Sequence, residues 1–211
     1  MELKNVDSGY YLTLNREPYT NRHQTFEKHF EKFYGFDKNN SNQKCHLWQL
    51  GKKCTNKLNF VYANSYSHYL LYKQISIKKW SGNFIFILED DAVFHEGWLE
   101  KWNKAVKYIP DDADFIYLHH HPSHIRRFTT HFKKPLNDFV GLPIGPYSTT
   151  SYAVTKKFVL QIVKHLEDKG IYRSLDSILN DNRSLYKVYT LIDSLCFENR
   201  EDYKSERLTD T

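Results

Sequence analysis

Phe84-Ile85-Phe86-Ile87-Leu88-Glu89-Asp90-Asp91-Ala92-Val93-Phe94 sets five consecutive apolar residues directly against three carboxylates. The apolar run, bounded by the turn Ser81-Gly82-Asn83 and by charge, predicts a strand covered on both faces. The carboxylates then stand where that strand ends. Unpaired, they repel one another and lose hydration. A divalent cation removes that cost, because Mg²⁺ and Mn²⁺ prefer carboxylate oxygen. On extended backbone alternate side chains share a face, so Glu89 and Asp91 are expected to address one site and Asp90 another. A loop start that caps a helix is the competing reading. An aspartyl-phosphate mechanism fits less well, since Ala92-Val93-Phe94 after Asp91 lacks the Asp-x-Asp-x-Thr setting.

Outward from this strand, elements alternate. Gly9 to Leu14 predicts a first strand. A helix capped at Thr20 or Asn21 is expected to carry Phe26, Phe30 and Phe33 on one face and to close at Gly35. Ser65 to Ile77 reads as a helix with Ser65 as cap and Tyr66, Leu70 and Ile77 on its stripe. Trp98, Trp102 and Val106 mark another helix, and Asp114–Leu118 and Ser151–Val154 two more strands. Thr155 caps a helix through Phe158, Ile162 and Leu166 that Gly170 ends. This alternation predicts an α/β fold with a mostly parallel central sheet flanked by helices, whose ligands bind at the carboxyl ends of the strands. With no internal repeat or long linker, residues 1–211 read as a single domain.

Composition narrows the function classes. The 211 residues are 40% hydrophobic, which places the chain among globular proteins. Aromatics reach 16%, supplying core area and surfaces on which sugars or bases stack. The net charge of +5 is dispersed in small groups, Lys52-Lys53, Lys78-Lys79, Arg126-Arg127 and Lys133-Lys134, which read as solvated faces, the alternative being attraction of a phosphate-bearing substrate or an anionic surface. No basic stripe suits nucleic acid, and none is expected as a partner. Cys45, Cys54 and Cys196 form neither a disulfide scaffold nor a zinc spacing. Without a signal peptide or a transmembrane segment of roughly 18 apolar residues, the expected location is cytoplasmic.

At this point the sequence resembles family-25 glycosyltransferases, which include lipopolysaccharide glycosyltransferases and the collagen galactosyltransferases. Phe84 to Phe94 is similar to the family's signature, and the stretch from Leu12 through Asn15-Arg16 to Arg22 is similar to its opening strand and turn. Ser67-His68 resembles the family's Ser-His helix start, although Ala63-Asn64-Ser65 stands before it in place of Gly-Cys. Asp111 to Leu118, Ser148 to Val154 and Arg173-Ser174-Leu175-Asp176 follow in family order.

The resemblance implies a GT-A nucleotide-sugar fold and an inverting transfer. Mn²⁺ or Mg²⁺, held by Glu89 and Asp91, would bridge to the diphosphate of a UDP-sugar donor. Asp90 would meet the ribose or donor sugar, and Asn15, Arg16 and Arg22 the base or phosphate. His68 is either a donor contact or a core histidine. Asp176 is the candidate base that deprotonates the hydroxyl of a glycan or glycoprotein acceptor. The run His119-His120-His121-Pro122-Ser123-His124 lacks a helical zinc spacing and reads as a loop lining the acceptor cleft. The rival reading is a carbohydrate- or polyanion-binding module on a degenerate transferase fold, which needs no metal.

Overall fold

A computed structural model describes residues 3–14, 29–37, 40, 47–49, 52–54, 60–119, 132–143 and 148–198. Its elements run β1 (Val6–Thr13), β2 (Glu31–Tyr34), β3 (Leu47–Gln49), β4 (Lys52–Cys54), α1 (Phe60–Ser76), β5 (Phe84–Glu89), β6 (Ala92–Phe94) and α2 (Trp98–Ala105). They continue through β7 (Phe115–Tyr117), β8 (Phe132–Pro135), β9 (Val140–Pro143), β10 (Ser151–Val154), α3 (Lys156–Lys169), α4 (Leu175–Asp181), β11 (Val188–Leu191) and β12 (Cys196–Glu198).

The apolar run forms β5, and Phe84 to Leu88 are buried along its whole length. Strand alternation divides them between two cores. Ile85 and Ile87 face Leu71, Tyr72 and Ile75 of α1 and the buried stripe Phe158, Ile162 and Leu166 of α3. Phe84, Phe86 and Leu88 face the other side, where Trp102 of α2 is fully buried. The Trp102 ring meets Phe86 edge-on at 4.7 Å, the T-shaped geometry that the ring quadrupoles favour. The expected α/β layering with flanking helices is therefore present.

The sheet has eight strands in the order β2-β1-β5-β10-β7-β11-β9-β8. Three pairings are parallel and four antiparallel, so it is a mixed sheet rather than the mostly parallel one expected. The decisive strand is β10, which lies antiparallel between β5 and β7. Element alternation in sequence suggests parallel crossovers but does not contain the direction in which a strand enters the sheet. β10 consequently brings its first residues, not its last, to the carboxyl end of β5.

Three other expectations shift. The helix expected to close at Gly35 falls mostly on residues outside those described, and its last part, Glu31–Tyr34, is strand β2 beside β1. Gly35 donates its amide to Thr13, and a Cβ there would come within 2.9 Å of Ser67 Oγ. Helix α1 begins at Phe60, so Ser65 is no cap. Its hydroxyl instead donates to Val61 and accepts the amide of Leu175 at the start of α4. The buried stripe of α1 is His68, Leu71, Tyr72 and Ile75, at i, i+3, i+4 and i+7, whereas Ile77 lies past the helix and is 87% exposed. The Thr155 cap of α3 and its end at Gly170 are as expected.

Candidate active site

Alternation continues one residue past the apolar run, so Glu89 points to the side of Ile85 and Ile87, toward α1. There a single oxygen, Oε1, accepts three hydrogen bonds. Asn64 Nδ2 donates at 3.1 Å, His68 Nε2 at 3.2 Å and Thr149 Oγ1 at 2.5 Å. Asn64 and His68 are one helical turn apart on α1 and so share a face. Thr149 arrives because β10 is antiparallel, and Glu89's amide bonds the next residue, Thr150, at 2.8 Å. Among the described residues no hydrogen bond reaches Oε2. The side chain is 21% exposed, so the carboxylate is anchored on one oxygen and open on the other.

Behind Glu89 the polar chain runs into the core. His68 Nδ1 is 2.7 Å from the Tyr152 hydroxyl, which is 2.7 Å from that of Tyr72, and all three side chains are fully buried. Donor counting orients the chain. Glu89 only accepts, so His68 Nε2 carries the hydrogen of that bond; with one hydrogen on the ring, Nδ1 would accept from Tyr152 and Tyr152 from Tyr72. Burial pushes the phenols of both tyrosines well above the usual range, so they remain donors. Burial alone would raise Glu89 too, but the hydrogen bonds from His68, Thr149 and Asn64 outweigh it and hold the carboxyl low.

The strand stops at Glu89, and Asp90 and Asp91 form the turn into β6. The expected alternation of Glu89 and Asp91 about Asp90 therefore does not apply, because it requires extended backbone through all three. Asp90 is 8% exposed and Asp91 half-buried. β6 pairs with β12, with Cys196 opposite Phe94, and the charge of Asp91 is felt at the Cys196 thiol. Burial, with the charge of Asp91 adding, pushes the Cys196 thiol up to about 12. His119, the first of the histidine run, is buried and bridges to Cys196 through backbone. His120, His121 and His124 lie outside the described residues, as do Asn15, Arg16 and Arg22.

Asp176 occupies the first turn of α4, where the cap is Ser174, not Asp176. Its Oδ1 accepts the amide of Ser177 at 2.8 Å. No hydrogen bond joins it to Glu89, but both are tied to one stretch of α1, Glu89 through Asn64 and His68 and the start of α4 through Ser65. The charge of Asp176 is also felt at Tyr117, which ends β7.

A family model described as glycosyltransferase family 25 (LPS biosynthesis protein) matches residues 21–179, three-quarters of the chain. The chain belongs to glycosyltransferase family 25. No curated protein matches it. In this family-25 glycosyltransferase the matched span contains Asn64, His68, Glu89, Asp90, Asp91, Thr149 and Asp176, whereas Asn15 and Arg16 precede it. Among the described residues no helix is long and apolar enough to cross a membrane.

Among the same residues no group of three or more His, Cys, Asp or Glu side chains is arranged to hold a metal ion. The donor chemistry nonetheless suits a hard cation, since Mg²⁺ commonly binds through one or two carboxylates and completes its shell with substrate phosphates and water. Glu89 fits that pattern through Oε2 alone. Asn64 and Thr149 escape the reading of the sequence as site residues, although the i, i+4 spacing of Asn64 and His68 on a helix is visible there. Tyr152 is legible only as a strand residue.

Proposed function

We propose that this enzyme transfers a sugar from a nucleotide-sugar, a UDP-sugar, to a hydroxyl of a glycan or glycoprotein acceptor, with inversion, on a GT-A-type fold. The observation that carries this reading is Glu89, anchored on Oε1 by Asn64, His68 and Thr149 and open at Oε2, beside Asp91 at the end of the central strand. Mn²⁺ or Mg²⁺ would be held by Glu89 Oε2 and Asp91. Bound there, the cation supplies charge neutralisation for the leaving diphosphate.

The chain's own residues divide the remaining work. Glu89 is held ionised, which makes it a weak base and a firm anchor. His68, with both ring nitrogens engaged inside the protein, orients Glu89 rather than touching the donor. Asp90 is read as the contact to ribose or donor sugar, and Asn15, Arg16 and Arg22 as contacts to base or phosphate. Asp176 takes the proton of the acceptor hydroxyl. The acceptor oxygen then bonds to the anomeric carbon as the bond to diphosphate breaks, and the electron pair leaves with the nucleoside diphosphate.

The test is hydrolysis of a UDP-sugar panel by the purified chain, with Mn²⁺ and after chelation, alongside Asp91→Asn. Full turnover by chelated protein overturns the metal. Loss of activity in Asp91→Asn with unchanged melting supports a role in binding the donor complex. A large fall in melting temperature makes Asp91 structural instead.

A further inference from the structure

β5 ends at Glu89 and begins at Phe84, and at that other edge of the sheet lies a cleft of about 810 Å³. Five steps of about 3.3 Å separate the two, so the cleft is roughly 17 Å from the acidic site. Its wall gathers lysines from three distant segments, Lys78 and Lys79 after α1, Lys107 after α2, and Lys156 and Lys157 at the amino end of α3. Asp111 is the acid in the same wall. Five lysines against one aspartate leave four positive charges, nearly the whole +5 of the chain.

Not all of that charge is available. Lys157 pairs with buried Asp114 at 3.0 Å, and Lys78 reaches Glu31 at 3.5 Å and the Tyr10 hydroxyl at 2.6 Å. Lys156 is held against the wall by the carbonyl of Lys78. Lys79 and Lys107 are exposed, and among the described residues no carboxylate stands in ion-pair reach of either. Like charges gathered on a concave wall focus a positive potential that attracts anions. A hollow of several hundred Å³ suits a ring-sized ligand rather than a flat surface. Trp80 in the wall is half-buried against the core, and Lys156 Nζ lies over its ring, 5.5 Å from the centroid.

We propose that this cleft is a second ligand site, for a ring-sized ligand carrying several phosphates, separate from the acidic site and independent of its chemistry. The probe is inositol hexakisphosphate, a phosphorylated ring polyol, titrated calorimetrically into the full chain. Lys79→Glu/Lys107→Glu should weaken binding by about tenfold or more, equivalent to about 1.4 kcal/mol. It should leave melting and UDP-sugar hydrolysis unchanged. Lys164→Glu/Lys169→Glu, the same charge change at exposed positions farther along α3, should alter affinity by less than about twofold. Equal weakening in both variants means bulk charge and overturns the site. So does absence of probe binding, or binding only to phosphatidylglycerol vesicles, which assigns the wall to a membrane surface.

Discussion

The imidazole of His68 bridges Glu89 to the core, with Nε2 3.2 Å from Glu89 Oε1 and Nδ1 2.7 Å from the Tyr152 hydroxyl. Because His68, Tyr72 and Tyr152 are fully buried, they differ in what their loss leaves behind. Tyr72→Phe removes a terminal donor and should cost about 1 kcal/mol in urea unfolding. Tyr152→Phe leaves both His68 Nδ1 and the Tyr72 hydroxyl unmatched and should cost about 2 kcal/mol or more. Equal losses would show that the hydroxyls do not form a directed chain.

Glu89→Gln keeps an acceptor oxygen for Asn64, His68 and Thr149 but removes the charge. The variant should stay folded but melt below the parent at neutral pH, while donor hydrolysis falls by about 10² or more. If the variant hydrolyses donor normally with the same Mn²⁺ dependence, Glu89 is not part of the donor site.

Asp176→Asn retains an oxygen for the Ser177 amide and does not disturb the cap, which is Ser174. Transfer should fall by about 10² to 10⁴ with donor affinity and melting kept. Near-normal transfer would remove Asp176 as the base and direct attention to Asp138, Asp181 and Asp193.

Glu89 also sets an acid limit on stability. Its carboxyl is held below the ordinary value of 4.5, so the unfolded chain protonates first as pH falls. The stabilisation is complete above 4.5 and is lost as pH drops through the lower folded value. The stability advantage of the parent over Glu89→Gln should therefore be larger near pH 7 than near about pH 3. An advantage that grows in acid would contradict the ionised anchor.

Cys196 provides a check on the packing around Asp91. Burial and the charge of Asp91 hold its thiol up at about 12, so little thiolate exists to react. Iodoacetamide at about pH 8 should leave the Cys196 peptide unmodified in folded protein and alkylate it in urea, read by mass spectrometry. Rapid alkylation of the folded chain would show that the β6–β12 pair opens.

The amino-acid sequence by itself determined the central strand Phe84 to Leu88, the carboxylates at its end, the Thr155 and Gly170 boundaries of α3 and the family. Each of these is written within a few neighbouring residues, as periodicity, a cap or a motif. Only the tertiary structure decided which way β10 runs, and with it the arrival of Thr149 beside Glu89 and of the Tyr152 hydroxyl beside His68. The same is true of the cleft. Lys78-Lys79 reads in sequence as a small solvated group, and its joining with Lys107, Lys156 and Lys157 depends on segments up to 79 positions apart. Strand direction and the meeting of such segments follow from non-local pairing and burial, for which no short stretch of chain carries a periodicity or a cap.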